Sequence, residues 1–357
     1  MRPSTLLILA GVTLLGLFAA VDALRGTSTT GAPNSSTGDE RTRIELRPAA
    51  GEPAIEGRDE LETRLGAAGV AGTLFITEEG CRLRALSLPG LNWLLDSAAE
   101  GDECEFTVAP DSRHVVRFGG GVAWSPNGRT SASCGEDSVV VHGRTGQQLY
   151  EVVGYCAPAW KPDGTFTLAR GGTLVVFRPP CKEGQRVCEH VILSKGDLEP
   201  ALRSGSTPFR SLYAPVIRQA IWLSDSRVAL VIHTRVRAQP GSRFDLVAIF
   251  EGRRLVAEPL VNSRFDELAV SASKSYLAVH GTTARGLFFI DADGRLLARN
   301  PFPGGHHAAW SPDERWTAVA TGGNTYLFRT AEIEFFNSDA RPPVIPIPVH
   351  AEDLEWR

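Results

Sequence analysis

Val-Ala-Trp-Ser-Pro-Asn-Gly, residues 122–128, is the stretch that decides the fold, because variants of it recur along the chain. In each copy an apolar pair and an aromatic residue or valine precede a turn cluster. The further copies are Pro-Ala-Trp-Lys-Pro-Asp-Gly at 158–164, Ala-Ile-Trp-Leu-Ser-Asp-Ser at 220–226, Leu-Ala-Val-Ser-Ala-Ser-Lys at 268–274 and Ala-Ala-Trp-Ser-Pro-Asp-Glu at 308–314. The chain ends on Asp-Leu-Glu-Trp-Arg at 353–357, which reads as a sixth copy cut off after its tryptophan. Repetition at a few tens of residues indicates a repeat architecture.

Each copy predicts a strand, a tight turn and a second strand. The apolar stretch that ends in an aromatic residue predicts a buried strand, and the proline, Asp or Asn, and glycine that follow predict the turn. The alternating run after the turn, such as residues 228–232, completes a hairpin. Strand-like runs at 138–142, 173–177, 246–250, 286–290 and 325–328 extend the units. Four short strands per unit, repeated radially, are typical of a β-propeller blade.

The register of the copies predicts how the ring closes. The equivalent anchor positions are Trp124, Trp160, Trp222, Val270, Trp310 and Trp356, with spacings of 36, 62, 48, 40 and 46 residues. The last copy supplies only one strand, so we expect residues 72–77, 82–88 and 105–108 to complete its blade. The sequence therefore predicts an all-β, six-bladed propeller of four-stranded blades over residues 70–357. The C-terminal strand would complete the first blade and remove an open sheet edge.

The motif resembles that of the TolB-like family of periplasmic β-propellers, whose blades open on Trp-Ser-Pro-Asp-Gly. Residues 124–128, 160–164 and 310–313 carry the resemblance, which extends over about residues 70–357. The copy around Trp222 lacks the proline, and the copy around Val270 lacks both the proline and the tryptophan. The resemblance implies a six-bladed fold and a role in interaction.

The N-terminus predicts export. Residues 3–21 carry no charge, and at about 1.5 Å per residue they just span a hydrocarbon core. Residues 1–24 are therefore a signal peptide cut after Ala23 or, because the run is long for a signal peptide, a retained signal anchor. Residues 25–55 predict a flexible polar linker. Residues 56–69 predict one short helix with Leu61 and Leu65 on its apolar side.

Six cysteines in an exported chain predict disulfides, although six allow 15 connectivities. Pairing of nearest neighbours predicts Cys81–Cys104, Cys134–Cys156 and Cys181–Cys188. The alternative, a cysteine metal site, is disfavoured because no Cys-x-x-Cys motif is present.

The net charge and the motifs of the sequence argue against a nucleic-acid partner and against several classes of enzyme. A net charge of −4 gives no basic field, so the sequence predicts no nucleic-acid partner. The sequence contains no Gly-x-Ser-x-Gly elbow, phosphate loop, dinucleotide fingerprint or His-Glu-x-x-His helix, and it predicts no cofactor.

The repeat register places one set of polar residues at a single mouth of the central channel. These residues lie three and four positions before the anchors, and the candidate site comprises Arg218, Gln219, Asp266, Glu267, His306, His307, Glu352 and Asp353. Converging acids and histidines could bind a divalent metal or a cationic peptide. The alternative interpretation is a wet, polar mouth whose carboxylates are solvated or paired with Arg218.

These observations predict a non-catalytic, extracytoplasmic propeller that binds a protein or another ligand. We expect a monomer that is tethered to the bacterial cell envelope, or secreted if the leader is cleaved, and that meets an envelope protein or peptide. The alternative is a metal-dependent hydrolase or lactonase-type propeller that uses the acids and histidines of the channel mouth.

Overall fold

The computed structural model describes residues 41–43, 55–78, 82–97, 105–109, 114–118, 122–135, 138–144, 146–178, 189–203, 212–236, 239–262, 265, 267–281, 286–338 and 341–357. All of them belong to one compact unit, Asp39–Arg357. The predicted leader, residues 1–24, lies outside the described residues, and so do Asp266, Cys81, Cys104, Cys181 and Cys188. Among the helices that the structure describes, none has the length and hydropathy of a membrane span.

The described residues are mostly β-strands. In the first half of the chain the strands are β1 Arg41–Arg43, β2 Gly72–Glu78, β3 Arg82–Leu88, β4 Trp93–Ser97, β5 Glu105–Val108, β6 His114–Phe118, β7 Val122–Trp124, β8 Ser131–Cys134, β9 Ser138–His142, β10 Gln148–Val153, β11 Cys156–Trp160, β12 Phe166–Arg170, β13 Thr173–Phe177 and β14 Glu189–Leu193. In the second half they are β15 Leu212–Trp222, β16 Arg227–Val236, β17 Gln239–Glu251, β18 Arg254–Leu255, β19 Leu260–Asn262, β20 Glu267–Val270, β21 Tyr276–Gly281, β22 Gly286–Asp291, β23 Leu296–Arg299, β24 His307–Trp310, β25 Trp316–Ala320, β26 Thr325–Arg329, β27 Ile345–Ile347 and β28 Asp353–Trp356. The helices are α1 Arg58–Ala68, α2 Lys195–Leu202 and a 3-10 helix over Thr330–Asn337.

Six antiparallel sheets carry the six anchors of the repeat, so the prediction of an all-β chain of repeated four-stranded units is confirmed. Five sheets have four strands each, in the orders β28-β2-β3-β4, β7-β8-β9-β10, β11-β12-β13-β14, β20-β21-β22-β23 and β24-β25-β26-β27. The sixth has five strands, β15 to β18 in order with β19 also paired to β17. In every sheet the anchor residue lies at or near the end of the first strand.

Successive sheets bury their faces against each other. Leu174 of β13, Leu230 of β16 and Phe250 of β17 share one apolar cluster between two neighbouring sheets. Phe289 of β22 meets Phe328 of β26 edge-on at 6.1 Å between ring centroids, which joins the next pair. A four-stranded sheet cannot cover both of its faces alone, so each unit depends on its neighbours for burial.

The turns of the repeat show why the motif tolerates variation. In the first copy the Gly128 N–H donates to the Ser125 carbonyl at 2.8 Å, and Gly128 has a positive φ of 65°. Lys274 and Glu314 occupy the equivalent position in later copies, with φ values of 63° and 55°. These two copies therefore keep the left-handed conformation without glycine, whereas Ser226 at the equivalent position of the Trp222 copy does not adopt it.

The C-terminal strand β28 pairs with β2, as the last copy of the repeat predicts. β28 lies antiparallel to β2, with Trp356 opposite Leu74 and Asp353 opposite Thr77. The Trp356 indole N–H donates to the Ala71 carbonyl at 3.1 Å. This close approach requires glycine at position 72, because a Cβ there would lie 2.7 Å from the indole nitrogen.

Strand β5 does not complete the first sheet, and this part of the prediction is wrong. The outer strand of that sheet is β4, while β5 pairs with β6 and β6 with β1 in a separate three-stranded sheet. The short link from Leu88 to Trp93 lets β4 return directly beside β3. β5 instead packs through Phe106 and Val108 against the face formed by Phe75 and Leu83.

Strand β1 falls inside residues 25–55, for which the sequence predicts a flexible linker. It pairs with β6, with Thr42 opposite Val115. Pairing at a sheet edge uses backbone groups only, so the Arg-Thr-Arg sequence gives no apolar pattern that could have indicated it.

Helix α1 lies within the predicted segment 56–69 and buries Leu61 and Leu65.

The disulfide between Cys134 and Cys156 is present, and this predicted pair is confirmed. It joins β8 of one sheet to β11 of the next, with 5.2 Å between the two Cα atoms. The other four cysteines lie outside the described residues.

Candidate functional site

Three of the predicted mouth residues converge on one point. Glu267 begins β20, His307 begins β24 and Asp353 begins β28, and these are the first strands of three sheets. His307 Nδ1 lies 3.4 Å from Glu267 Oε2 and 3.1 Å from Asp353 Oδ1. One ligand atom from each residue lies within 4.8 Å of the other two. We call Glu267, His307 and Asp353 the mouth cluster.

The repeat explains the convergence. Each side chain sits three positions before its anchor, at Val270, Trp310 and Trp356, so the same register places all three at the same end of their strands. Asp353 is in place only because β28 pairs with β2. One of the three cluster residues, Asp353, therefore depends on the pairing of the C-terminal strand with β2.

The Asp353 carboxylate is held by backbone donors as well. Its Oδ1 accepts the Leu354 N–H at 2.7 Å, and its Oδ2 lies 3.4 Å from the Phe106 N–H of β5. Glu355, which points the same way along β28, accepts the Val108 N–H. The three-stranded sheet that the sequence did not predict thus fixes the orientation of Asp353.

His280 is a further residue of this site that sequence reasoning missed. It lies directly opposite Glu267 in the ladder between β20 and β21. Its ring centroid is 5.2 Å from that of His307 and 6.3 Å from that of His306. The hairpin register indicates this pairing, because a turn over residues 271–276 places residue 280 opposite residue 267.

Three other predicted site residues, Gln219, Arg218 and Glu352, do not belong to the mouth cluster. Gln219 bridges two sheets, since its amide accepts the Leu268 N–H at 2.7 Å and donates to the Leu268 carbonyl at 3.1 Å. Arg218 is exposed on β15. The Glu352 backbone N–H donates to the Thr77 carbonyl at 2.7 Å, and its side chain is not in the cluster.

His306 is next to His307 but does not offer a ring nitrogen to the cluster. Its Nδ1 lies 3.0 Å from the Gly304 carbonyl oxygen and its Nε2 lies 2.9 Å from the Ala351 carbonyl oxygen. Carbonyl oxygens only accept hydrogen bonds, so the ring nitrogen that carries the proton donates to the carbonyl oxygen beside it. His306 thus ties the loop before β24 to the segment before β28.

Burial shifts the pKa values of two cluster residues in opposite directions. Burial, followed by the neighbouring His280 and His306, lowers the pKa of His307 to about 3, so its imidazole is uncharged at neutral pH. Burial, followed by the charge of Glu267, raises the pKa of Asp353 well above its usual range. Two carboxyl groups therefore face an imidazole that does not supply a positive charge.

A small cavity adjoins the cluster, and a larger cleft lies next to that cavity. A small cavity of about 10 Å³ is lined by Glu267, His280, His306 and His307, among others, and this is close to the volume that a single water centre needs. A cleft of about 650 Å³ shares His280 and His306 with it and is otherwise lined by Gly281, Gly286, Asn300, Pro303, Gly304 and Gly305. A cleft of that volume is typical of small-molecule sites.

Comparisons with known proteins give structural neighbours of low sequence identity. No protein-family model matches the chain, and no curated protein matches it. The β-propeller domain of Cps50 (Swd1) from Myceliophteria thermophila is 12% identical, with 80% of this chain and 90% of that chain covered and a TM-score of 0.42. A functionally unknown protein from Desulfotomaculum acetoxidans is 12% identical, with 79% and 100% covered and a TM-score of 0.43. Hydrazine synthase from Kuenenia stuttgartiensis is 17% identical, with 76% and 77% covered and a TM-score of 0.40. These identities are too low to say whether the protein is an enzyme.

Proposed function

We propose that the protein is an extracytoplasmic, ligand-binding β-propeller, tethered to the cell envelope by its N-terminal apolar segment, and that its ligand binds at the mouth cluster. The sheets would be six blades of one ring, with the three-stranded sheet between the first and the second. The observation that carries the proposal is the convergence of Glu267, His307 and Asp353 from three separate sheets.

Two observations support the extracytoplasmic location. The uncharged run at residues 3–21 has the length of a membrane span. The Cys134–Cys156 disulfide is typical of oxidising compartments.

Isothermal titration calorimetry tests the binding function. Calcium, zinc and a basic peptide would be titrated into the protein and into its Glu267→Ala and His307→Ala variants. Binding of at least one ligand should weaken in both variants, and Arg218→Ala, a change at a mouth position outside the cluster, should leave it unchanged. If no ligand gives heat, or if the two cluster variants bind as the original protein does, the proposed site is wrong.

A second candidate function is a metal-dependent hydrolase of the lactonase type. The specific observation in its favour is the cleft of about 650 Å³ that shares two histidines with the cavity at the cluster. Turnover of small esters or lactones that stops with a chelator and with Glu267→Ala would favour this function over simple binding. No turnover in the presence of a bound ion would exclude it for those substrates.

A further inference from the structure

We propose that the mouth cluster is a site for one divalent transition-metal ion of the zinc class, with His307 Nδ1, Glu267 Oε2 and Asp353 Oδ1 as its protein ligands. This inference rests on the proposed function, because it names the ligand of the same mouth.

The distances within the cluster suit such an ion. Bonds of about 2.1 Å in tetrahedral geometry place neighbouring ligand atoms about 3.4 Å apart. His307 Nδ1 lies 3.4 Å and 3.1 Å from the two carboxylate oxygens, and all three atoms lie within 4.8 Å of one another. Two of the three separations therefore match the tetrahedral value, and an ion between the side chains would draw the two carboxylate oxygens to a similar separation.

The chemistry of the donors selects the class of ion. Calcium and magnesium take oxygen ligands, and calcium needs six to eight of them. Imidazole nitrogen with carboxylate oxygen is a donor set of zinc and of its first-row neighbours.

The surroundings leave a fourth position to a non-protein ligand. His306 does not fill it, because both of its ring nitrogens face carbonyl oxygens at 3.0 Å and 2.9 Å. The cavity beside the cluster has room for about one water molecule and borders the larger cleft through His280 and His306. Three protein ligands and one open position are the arrangement that zinc uses where it binds an exchangeable ligand.

The test uses the full chain in detergent, without a polyhistidine tag, and two pairs of matched variants. His307→Gln and Glu267→Gln each remove a proposed ligand, whereas His190→Gln and Glu352→Gln change an exposed histidine of β14 and a nearby acid outside the cluster. Zinc and calcium would be titrated after treatment with a chelator, and the visible absorption of bound cobalt would report the coordination geometry. Thermal unfolding of each variant would show that it remains folded.

The original protein and the two control variants should bind one zinc ion per chain, and cobalt should show the intense visible bands of a tetrahedral site. His307→Gln and Glu267→Gln should weaken zinc binding by at least about 100-fold. Equal zinc affinity in His307→Gln and the original protein would overturn the inference. Binding of calcium or of a basic peptide that depends on Glu267, without zinc binding, would overturn the inference and leave the proposed function standing. Absence of any ligand would remove both.

Discussion

The disulfide between two sheets should contribute a measurable share of the stability. Cys134 and Cys156 join β8 to β11 across 22 residues of sequence. The perturbation is the double variant Cys134→Ala, Cys156→Ala, which removes the bond without leaving a single unpaired thiol. The native contacts of both sheets would otherwise be kept.

The expected magnitude follows from the length of the loop that the bond closes. Cross-linking a loop of about 22 residues lowers the entropy of the unfolded chain by an amount equivalent to about 3 kcal/mol at room temperature. Cys134 packs against the apolar cluster between its own sheet and the next, so loss of its sulfur adds a smaller packing cost. The double variant should therefore lose about 3–4 kcal/mol of unfolding free energy.

Urea denaturation followed by both tryptophan fluorescence and circular dichroism measures this difference. Curves that coincide for the two probes justify the use of one free energy. Each single variant, which leaves a free thiol, should be no more stable than the double variant. A loss below about 1 kcal/mol in the double variant would show that this bond does not constrain the unfolded chain as reasoned.

Three more results are expected. Trp356→Ala should lose about 3–5 kcal/mol of unfolding free energy in urea, because the indole is buried at the ring closure and donates to Ala71, whereas Trp356→Phe should lose less. Asp197→Ala should lose about 0.5–2 kcal/mol in the same assay, because its carboxylate accepts the Ser194 N–H at the start of α2; an unchanged midpoint would contradict that cap. Burial, followed by a neighbouring carboxylate, raises the pKa of Tyr155 to about 12 from 10.0, so the folded state holds this proton more tightly. Unfolding free energy should thus fall as the pH rises from about 10 to about 12, and Tyr155→Phe should show a shallower fall.

The repeat made most of the fold predictable. Trp124, Trp160 and Trp310 stand in copies with clear turn chemistry, and Val270 could be added from its position alone. The truncated copy at Trp356 predicted the pairing of β28 with β2. Residues 105–108 were misassigned because an isolated strand-like run does not indicate which sheet it joins.

The site was predictable to the extent that the repeat fixes it. Glu267, His307 and Asp353 occupy the same register position in three copies, so their convergence follows from symmetry. His306 lines the same cavity as His307, but its ring nitrogens face the Gly304 and Ala351 carbonyl oxygens, which the repeat pattern does not indicate. The sequence could not predict the role of Gln219 for another reason. Its side-chain amide accepts a hydrogen bond from the Leu268 N–H, and this contact exists only because the two sheets pack together.

Diffraction at the zinc absorption edge, from crystals grown with zinc, tests the central claim most directly. The account predicts an anomalous peak about 2.0–2.2 Å from His307 Nδ1 and from one carboxylate oxygen each of Glu267 and Asp353. A map with no peak between these three side chains, at a zinc concentration that saturates the binding seen in solution, would contradict it.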